Sequence, residues 1–324
     1  MNNEIEVSVI VPVYNSIKYI RPCLDSILNQ DFPHRYEILI SFYPSTDGTD
    51  EIIGEYEKQN SSITLIKNSQ RGISFSRFDA LKHARGKYIY FVDADDFIAP
   101  TTLKVLHELL EAYDADISHC NFYVIENRNG VDEIKLNPFS LDGVFDKYQA
   151  IRYLQQDTKI RSFFWTKMFK RELFENLPYD LHLENWQGMF DDAFPNFVLF
   201  SSAKKVVSTS KPLYYYRKGQ EGSDSSKLNP KRMNYHIDAY ALERYFIDLS
   251  NDKKLFKEYR HTVSRYRWTL YFDAYVSRKI PNYHFWKEIK NANRMLKLFK
   301  RKENIPVSGY EYENNLKRVF NIKK

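Results

Sequence analysis

Lys87-Tyr88-Ile89-Tyr90-Phe91-Val92-Asp93-Ala94-Asp95-Asp96-Phe97 is an apolar run, Tyr88 to Val92, that stops in three carboxylates within four residues. A run that apolar suits a strand buried on both faces, as in a parallel sheet. Its acidic end then falls at the carboxyl edge, where open α/β sheets bind ligands. Like charges this close repel unless a cation or solvent lies between them. Hard oxygens at this spacing suit Mg2+ or Mn2+, with a phosphate completing the shell. An acidic turn that merely caps the next helix would read the same way, so the neighbouring sequence has to decide.

Upstream, strand and helix alternate. Residues 7–13 form an apolar first strand that stops at Tyr14-Asn15-Ser16. A helix over 18–29 carries Tyr19, Cys23, Leu24, Ile27 and Leu28 on one stripe. A second strand over 37–42 leads to Ser45-Thr46-Asp47-Gly48-Thr49-Asp50, which opens a helix to about 59. A third strand over 62–66 and a helix over 74–84 complete the approach to Gly86. This alternation predicts a parallel sheet with crossover helices. Pro12-Val13-Tyr14-Asn15 has none of the glycines of a dinucleotide-binding turn, which sets the dehydrogenase class aside.

Downstream, Pro100 is expected in the first turn of a helix over 101–112. Residues 116–126 and 134–136 read as strands joined by the hairpin turn Asn127-Arg128-Asn129-Gly130. Helices are expected over 147–155, from 171, and over 196–201, with short strands at 205–208 and 213–216. The loop 217–226, with Gly219, Gly222 and several serines, reads as a mobile segment. From about Pro230 the chain turns to charged, aromatic helices broken at Pro281 and Pro306. We therefore expect one domain over 1–227, with halves at about 1–97 and 98–227, and a helical subdomain over 228–324.

The 324 residues, 43% hydrophobic and 28% charged, describe an ordinary globular protein able to bury a full core. Cys23 and Cys120 offer no disulfide framework, so a reducing compartment is expected. The polar start, residues 1–6, does not read as a secretory signal, and no apolar window reaches membrane-span length. A cytoplasmic protein is expected, with attachment at most to the inner face of the membrane. From Leu228 onward 22 Lys and Arg stand against 10 Asp and Glu, about +12, leaving about −6 for the rest. That basic end suits an anionic membrane surface, a protein or glycan partner, or a second copy of the chain in a homodimer. No nucleic-acid-binding module is visible, so nucleic acid is not expected as a partner.

These residues resemble the inverting family 2 glycosyltransferases with a GT-A fold. Ser8-Val9-Ile10-Val11-Pro12-Val13-Tyr14-Asn15 is similar to that family's opening strand, and Ser45-Thr46-Asp47-Gly48-Thr49 to the end of its D-D-G-S-T-D-G-T segment. Arg71-Gly72-Ile73-Ser74-Phe75-Ser76-Arg77 resembles its G-x-S-x-A-R stretch, and Arg85 to Asp96 its run into D-x-D. Trp165-Thr166-Lys167-Met168-Phe169 and Leu213-Tyr214-Tyr215-Tyr216-Arg217 are similar to further blocks of bacterial members. Together these blocks cover roughly residues 5–226.

The resemblance implies an α/β GT-A fold, a Rossmann-like, mostly parallel sheet flanked by helices, and a hexosyltransferase activity. The donor would be a UDP-sugar, with galactose or an N-acetylhexosamine favoured, and the acceptor a glycan of a surface polysaccharide or glycoprotein. It places Pro12, Tyr14, Ser41, Tyr43 and Ala94 around the nucleotide-sugar and Arg71 and Arg77 near its phosphates or the acidic cluster. Asp95 would ligate Mn2+ or Mg2+, with Asp93 by the ribose or the metal and Asp96 structural. The general base would be Asp192, with Asp191 standing where the family has glutamate and taking the role if the register slips by one. On a purely structural reading, Asp191-Asp192 would cap the helix that follows, and Arg71 and Arg77 would be exposed arginines at a helix start. The acidic pair that usually precedes G-S-T-D-G-T is replaced by Phe42, Tyr43 and Pro44, and Phe78 stands where Asn is common. That departure implies a different contact to the nucleotide base. It also keeps open a catalytically weak or inactive scaffold that binds an anionic partner. A sugar nucleotidyltransferase would need a Gly-rich, Arg-containing loop after the first strand, which is missing.

Overall fold

The computed structural model describes residues 4–128, 130–157, 159–177 and 192–219, with scattered positions between 243 and 287. The chain divides into two compact units, 1–187 with 195–223, and 188–194 with 224–324. Of the second unit, residues 253–258 are helical, and the Asp252 carboxylate accepts from the Lys254 and Leu255 backbone N–H groups as a cap. The remaining C-terminal helices expected over 228–324, and the loop beyond Gly219, lie outside the described residues.

The first unit is built as alternation demands. Strand β1 (Val7–Val13), helix α1 (Ile20–Leu28), β2 (Tyr36–Phe42), α2 (Thr49–Gln59), β3 (Ile63–Lys67), α3 (Ile73–Leu81) and β4 (Tyr88–Phe91) follow one another. Then come β5 (Phe97–Ile98), α4 (Thr102–Tyr113), the long β6 (Ile117–Arg128) and β7 (Val131–Leu136). The chain continues through β8 (Gly143–Asp146), α5 (Lys147–Gln156), β9 (Lys167–Lys170), α6 (Ala193–Ser202) and β10 (Lys205–Lys218). The ten strands of the described residues form one sheet, ordered β3-β2-β1-β4-β9-β6-β10-β5, with β7 beside β6 and β8 beside β10.

Its first four strands are parallel, and β1 lies between β2 and β4. The chain winds outward from β1 to β3 and then returns to the other side of β1 with β4. The switch point is therefore the crevice at the carboxyl ends of β1 and β4. Every residue of β1 and β4 is buried, as their unbroken apolar runs require. Helix α1 buries Ile20, Cys23, Leu24 and Ile27 against them.

The amino edge is pinned by one buried carboxylate. Glu37 accepts from Ser8 Oγ at 2.7 Å and from the Arg85 backbone N–H and guanidinium at 2.6–2.9 Å. Ser8 Oγ in turn accepts from the Gly86 N–H at 2.8 Å. Gly86 passes so close to β1 that a Cβ there would stand 2.5 Å from the Ser8 nitrogen and 2.7 Å from the Val7 carbonyl carbon. The Arg85-Gly86-Lys87 step is thus what lets β4 start flush against β1.

Several local expectations are corrected. Residues 205–208 and 213–216 are one strand, β10, with register shifts around Pro212, which cannot donate to the ladder. Strands β5 and β8, of two and four residues, are too short to show a period. Pro100 precedes the N-cap residue Thr101 instead of sitting in the first turn of α4, and residues 171–176 form a 3-10 turn. No helix among the described residues is long and apolar enough to cross a membrane.

Two consequences can be measured. Gly86→Ala should destabilise the protein by about 2 kcal/mol in urea unfolding, because backbone has to shift to admit the methyl. Asp116, buried at the start of β6, has its carboxyl held below the ordinary range. Burial pushes it up, but the Lys170 ammonium at 2.9 Å and the N–H groups of Lys204 and Lys205 outweigh that. A lowered folded-state pKa stabilises the fold above the unfolded value of about 3.9 and is lost as pH falls through the folded value. Asp116→Asn should therefore lower Tm at neutral pH, with the gap to the parent closing as pH falls below about 3.9.

Candidate active site

The strand β4 runs into a turn in which the Asp96 N–H donates to the Asp93 carbonyl at 3.0 Å. Its three carboxylates meet three different environments. Asp93 accepts from Arg77 Nη2 at 2.8 Å, and Arg77 is 97% buried from solvent with its guanidinium lying over Phe164 at 5.4 Å. Asp96 is fully buried; it accepts from the Tyr214 hydroxyl at 2.8 Å and from the Arg217 backbone N–H at 2.7 Å. Burial first, then Asp95 and Asp93, raise its carboxyl well above the ordinary range. The carboxylate of Asp95 accepts from no other described residue. Burial, reinforced by Asp93 and opposed by Arg217, raises it to about 6. Its own backbone N–H also holds it down; a crowded, largely buried carboxylate without a side-chain partner favours a cation beside it.

Tyr214 ties this turn to β10. Its hydroxyl donates to Asp96 and accepts from the Asp93 N–H at 3.1 Å. Its ring stacks on Trp165 at 4.3 Å, which stacks on Phe163 at 4.6 Å. The buried Cys23 thiol lies 3.6 Å from the Asp93 carbonyl. Neither Tyr214 nor Cys23 stood out by residue type in the sequence; only the register of β10 and α1 against the turn reveals them.

Across the switch point, the loops after β1 and β2 are laced together. Asn15 N–H donates to Ser45 Oγ, and Asn15 Oδ1 accepts from the Thr46 N–H. Asp47 accepts from the Ile17 N–H and from Thr49 Oγ1, while Thr49 Oγ1 accepts from the Ser16 N–H. Gly48, at φ 94°, packs against Ile17. The Ser45–Gly48 segment is thus a latch that opens α2, with Gly48 at its N-cap and Thr49 its first residue.

The latch holds an aromatic corner. Tyr14 and Tyr43 have ring centroids 6.0 Å apart, and the exposed Arg71 guanidinium lies 4.1 Å over Tyr14. Ser41 and Pro12 are buried beneath, and Ser41 Oγ donates to Asn68, which donates to Ser76. The structure therefore brings Tyr14, Tyr43 and Arg71 together on one side of the crevice and Asp93, Ala94, Asp95 and Arg77 on the other. Arg77 is not the exposed helix-start arginine of the simpler reading; Arg71 is exposed. Asp192 directly precedes α6 in the second compact unit, and Asp191 lies outside the described residues.

A GT-A-like α/β sheet with an acidic turn at its switch point defines the class, and comparison with known proteins gives the family. The sequence model of Glycosyl transferase family 2 matches residues 8–178. The glycosyltransferase GlyA of Streptococcus pneumoniae is 31% identical over 241 residues, 73% of this chain and 34% of GlyA. The poly(ribitol-phosphate) beta-N-acetylglucosaminyltransferase TarS of Staphylococcus aureus is 28% identical over 76% of this chain and 42% of its own length. The crystal structure of TarS residues 1–349 in complex with UDP-GlcNAc superposes with a TM-score of 0.58 at 25% identity, covering 74% of this chain and 66% of that one. A mannosyltransferase of Pyrobaculum calidifontis, solved with GDP-Man and Mn2+, shares the fold at 18% identity and a TM-score of 0.55, over 99% of this chain and 89% of its own. The chain belongs to glycosyl transferase family 2, and it spans well under half the length of GlyA and TarS.

Tyr214→Phe removes the one hydroxyl shared by Asp93 and Asp96. It should cost about 1–3 kcal/mol of stability by leaving a buried carboxylate oxygen and an N–H unpaired, read as a lower Tm with the fold retained in circular dichroism.

Proposed function

We propose that this protein transfers a hexose with inversion from a UDP-sugar to a glycan acceptor, the acceptor belonging to a surface polysaccharide or glycoprotein. The observation that carries the reading is Asp95, largely buried at the switch point, with no side-chain partner among the described residues, beside the Arg77-paired Asp93. That donor set fits a hard divalent cation. Asp95, with Asp93 beside it, would hold Mn2+ or Mg2+, which supplies charge neutralisation for a leaving nucleoside diphosphate.

Other groups of the chain bind and orient. Tyr14 and Tyr43 offer ring faces to the nucleotide base, with Arg71 above them. Pro12, Ser41 and Ala94 shape the pocket floor, and Arg77 holds Asp93 in place. In a single displacement the acceptor hydroxyl oxygen bonds to the anomeric carbon as the bond to the diphosphate oxygen breaks. The hydroxyl proton passes to a carboxylate base. Asp192 is the residue we assign, by its match to the second acid of the family's late pair, with Asp191 the neighbouring alternative. TarS, whose structure holds UDP-GlcNAc, favours an N-acetylhexosamine donor over galactose. The same reading places the enzyme in the cytoplasm, where the basic residues after 228 would meet an anionic surface or partner.

The test is UDP release from UDP-GlcNAc and UDP-galactose with Mn2+, Mg2+ or chelator. Asp95→Ala should abolish metal-dependent turnover while the protein stays folded. Asp192→Asn should lower kcat by about 10²–10⁴-fold with little change in donor KM. Full metal-dependent activity in Asp95→Ala would refute the site. Absence of turnover with every donor would instead favour the inactive scaffold.

A further inference from the structure

The far end of β4 from Asp93 carries a second convergence of ligating side chains. His107 and Glu111 lie four residues apart on α4 and so share a face. Glu6 reaches the same point from the chain just before β1. One ligand atom from each lies within 4.8 Å of the other two. His107 Nε2 hydrogen-bonds Glu6 Oε1 at 3.1 Å, a separation that two ligands binding one ion at about 2 Å also have.

The surroundings orient these groups. The His107 ring is buried and held edge-on by Phe32 and Tyr88, with centroids at 5.3 and 5.5 Å. The Tyr88 hydroxyl donates to Glu111, the kind of outer contact that fixes a ligating carboxylate. His107 and Glu111 also line an open groove with Phe32, His34 and Lys104, so their side of the group is reached by solvent. A cation already stands between the carboxylates: Lys87 Nζ is 2.6 Å from Glu111 and 3.8 Å from Glu6. Its side chain is half exposed and can withdraw into solvent.

We propose that Glu6, His107 and Glu111 form a site for a divalent transition metal of the Zn2+ class, with Lys87 as its built-in competitor. Imidazole with two carboxylates favours Zn2+, Ni2+ or Cu2+ over Mg2+, so the site differs in chemistry as well as place from the acidic turn. A bound ion would clamp the lead-in of β1 to α4.

The experiment titrates the full chain carrying Asp95→Ala, which removes the ligand assigned to the catalytic ion, with CoCl2 followed by visible absorption and with ZnCl2 by calorimetry. One equivalent should bind with a Kd of about 1–10 μM, and Zn2+ should raise Tm. Adding Glu111→Gln, an exposed position whose exchange leaves the core intact, should weaken binding at least about tenfold. Adding Lys87→Met should tighten it by about tenfold through removal of the competing charge. His107→Ala should abolish the Co2+ spectrum where the variant folds. Absence of saturable Co2+ binding in both the Asp95→Ala and the Asp95→Ala/Lys87→Met proteins overturns the proposal, as does binding that Glu111→Gln leaves unchanged.

Discussion

Three carboxylates within four residues, at the end of a buried strand, set the constraint that the rest of the first unit answers. In water such a cluster costs little, but in a half-buried turn each charge must find a separate solution. Asp93 takes an arginine that is itself buried among aromatic rings. Asp96 takes a hydroxyl and a backbone N–H from β10. Those partners come from α3 and β10, more than a hundred residues apart in sequence. The outcome is a division: Asp93 and Asp96 are held by partners from α3 and β10, and Asp95 is left raised without a side-chain partner among the described residues.

The two edges of the parallel half solve opposite problems. At the amino edge a single buried carboxylate, Glu37, accepts from Ser8 and Arg85 on both of its oxygens. The carboxyl edge is assembled from loops that bond to each other instead of to the crevice floor, as Asn15, Asp47 and Thr49 show. Latching of this kind fixes the loops after β1 and β2 relative to each other. It is the arrangement a preorganised site needs.

Much of this was legible in the sequence because burial leaves a strong period. The unbroken runs 7–13 and 88–92 and the stripe Cys23, Leu24, Ile27 translate directly into β1, β4 and α1. The structural role for Asp96 was implied by the family resemblance, and Asp96 is buried and bonded to β10. What escaped were features set by tertiary partners. Nothing local distinguishes Tyr214 from Tyr215, yet one is buried against the acidic turn and the other stacks on Phe97. Residues 205–208 and 213–216 read as two strands, whereas β10 runs through Pro212 with register shifts while β6 continues alongside. The Glu6–His107–Glu111 group joins positions a hundred residues apart that no motif links.

The exchange of the family's acid for Phe42-Tyr43-Pro44 has a physical consequence for donor choice. A carboxylate that accepts a base N–H reads identity, since a base lacking that donor leaves a buried charge unpaired. Tyr14, Tyr43 and the Arg71 guanidinium present faces and a cation instead. Stacking of this kind is worth about 1–3 kcal/mol per base but is tolerant of which base it is. The polar groups directly beneath, Ser41, Asn68 and Ser76, already bond to one another. On this reading the corner supplies affinity for a nucleotide more than choice among nucleotides. Discrimination between donors then falls to groups that meet the sugar and the diphosphate, so the sugar would be chosen more strictly than the base.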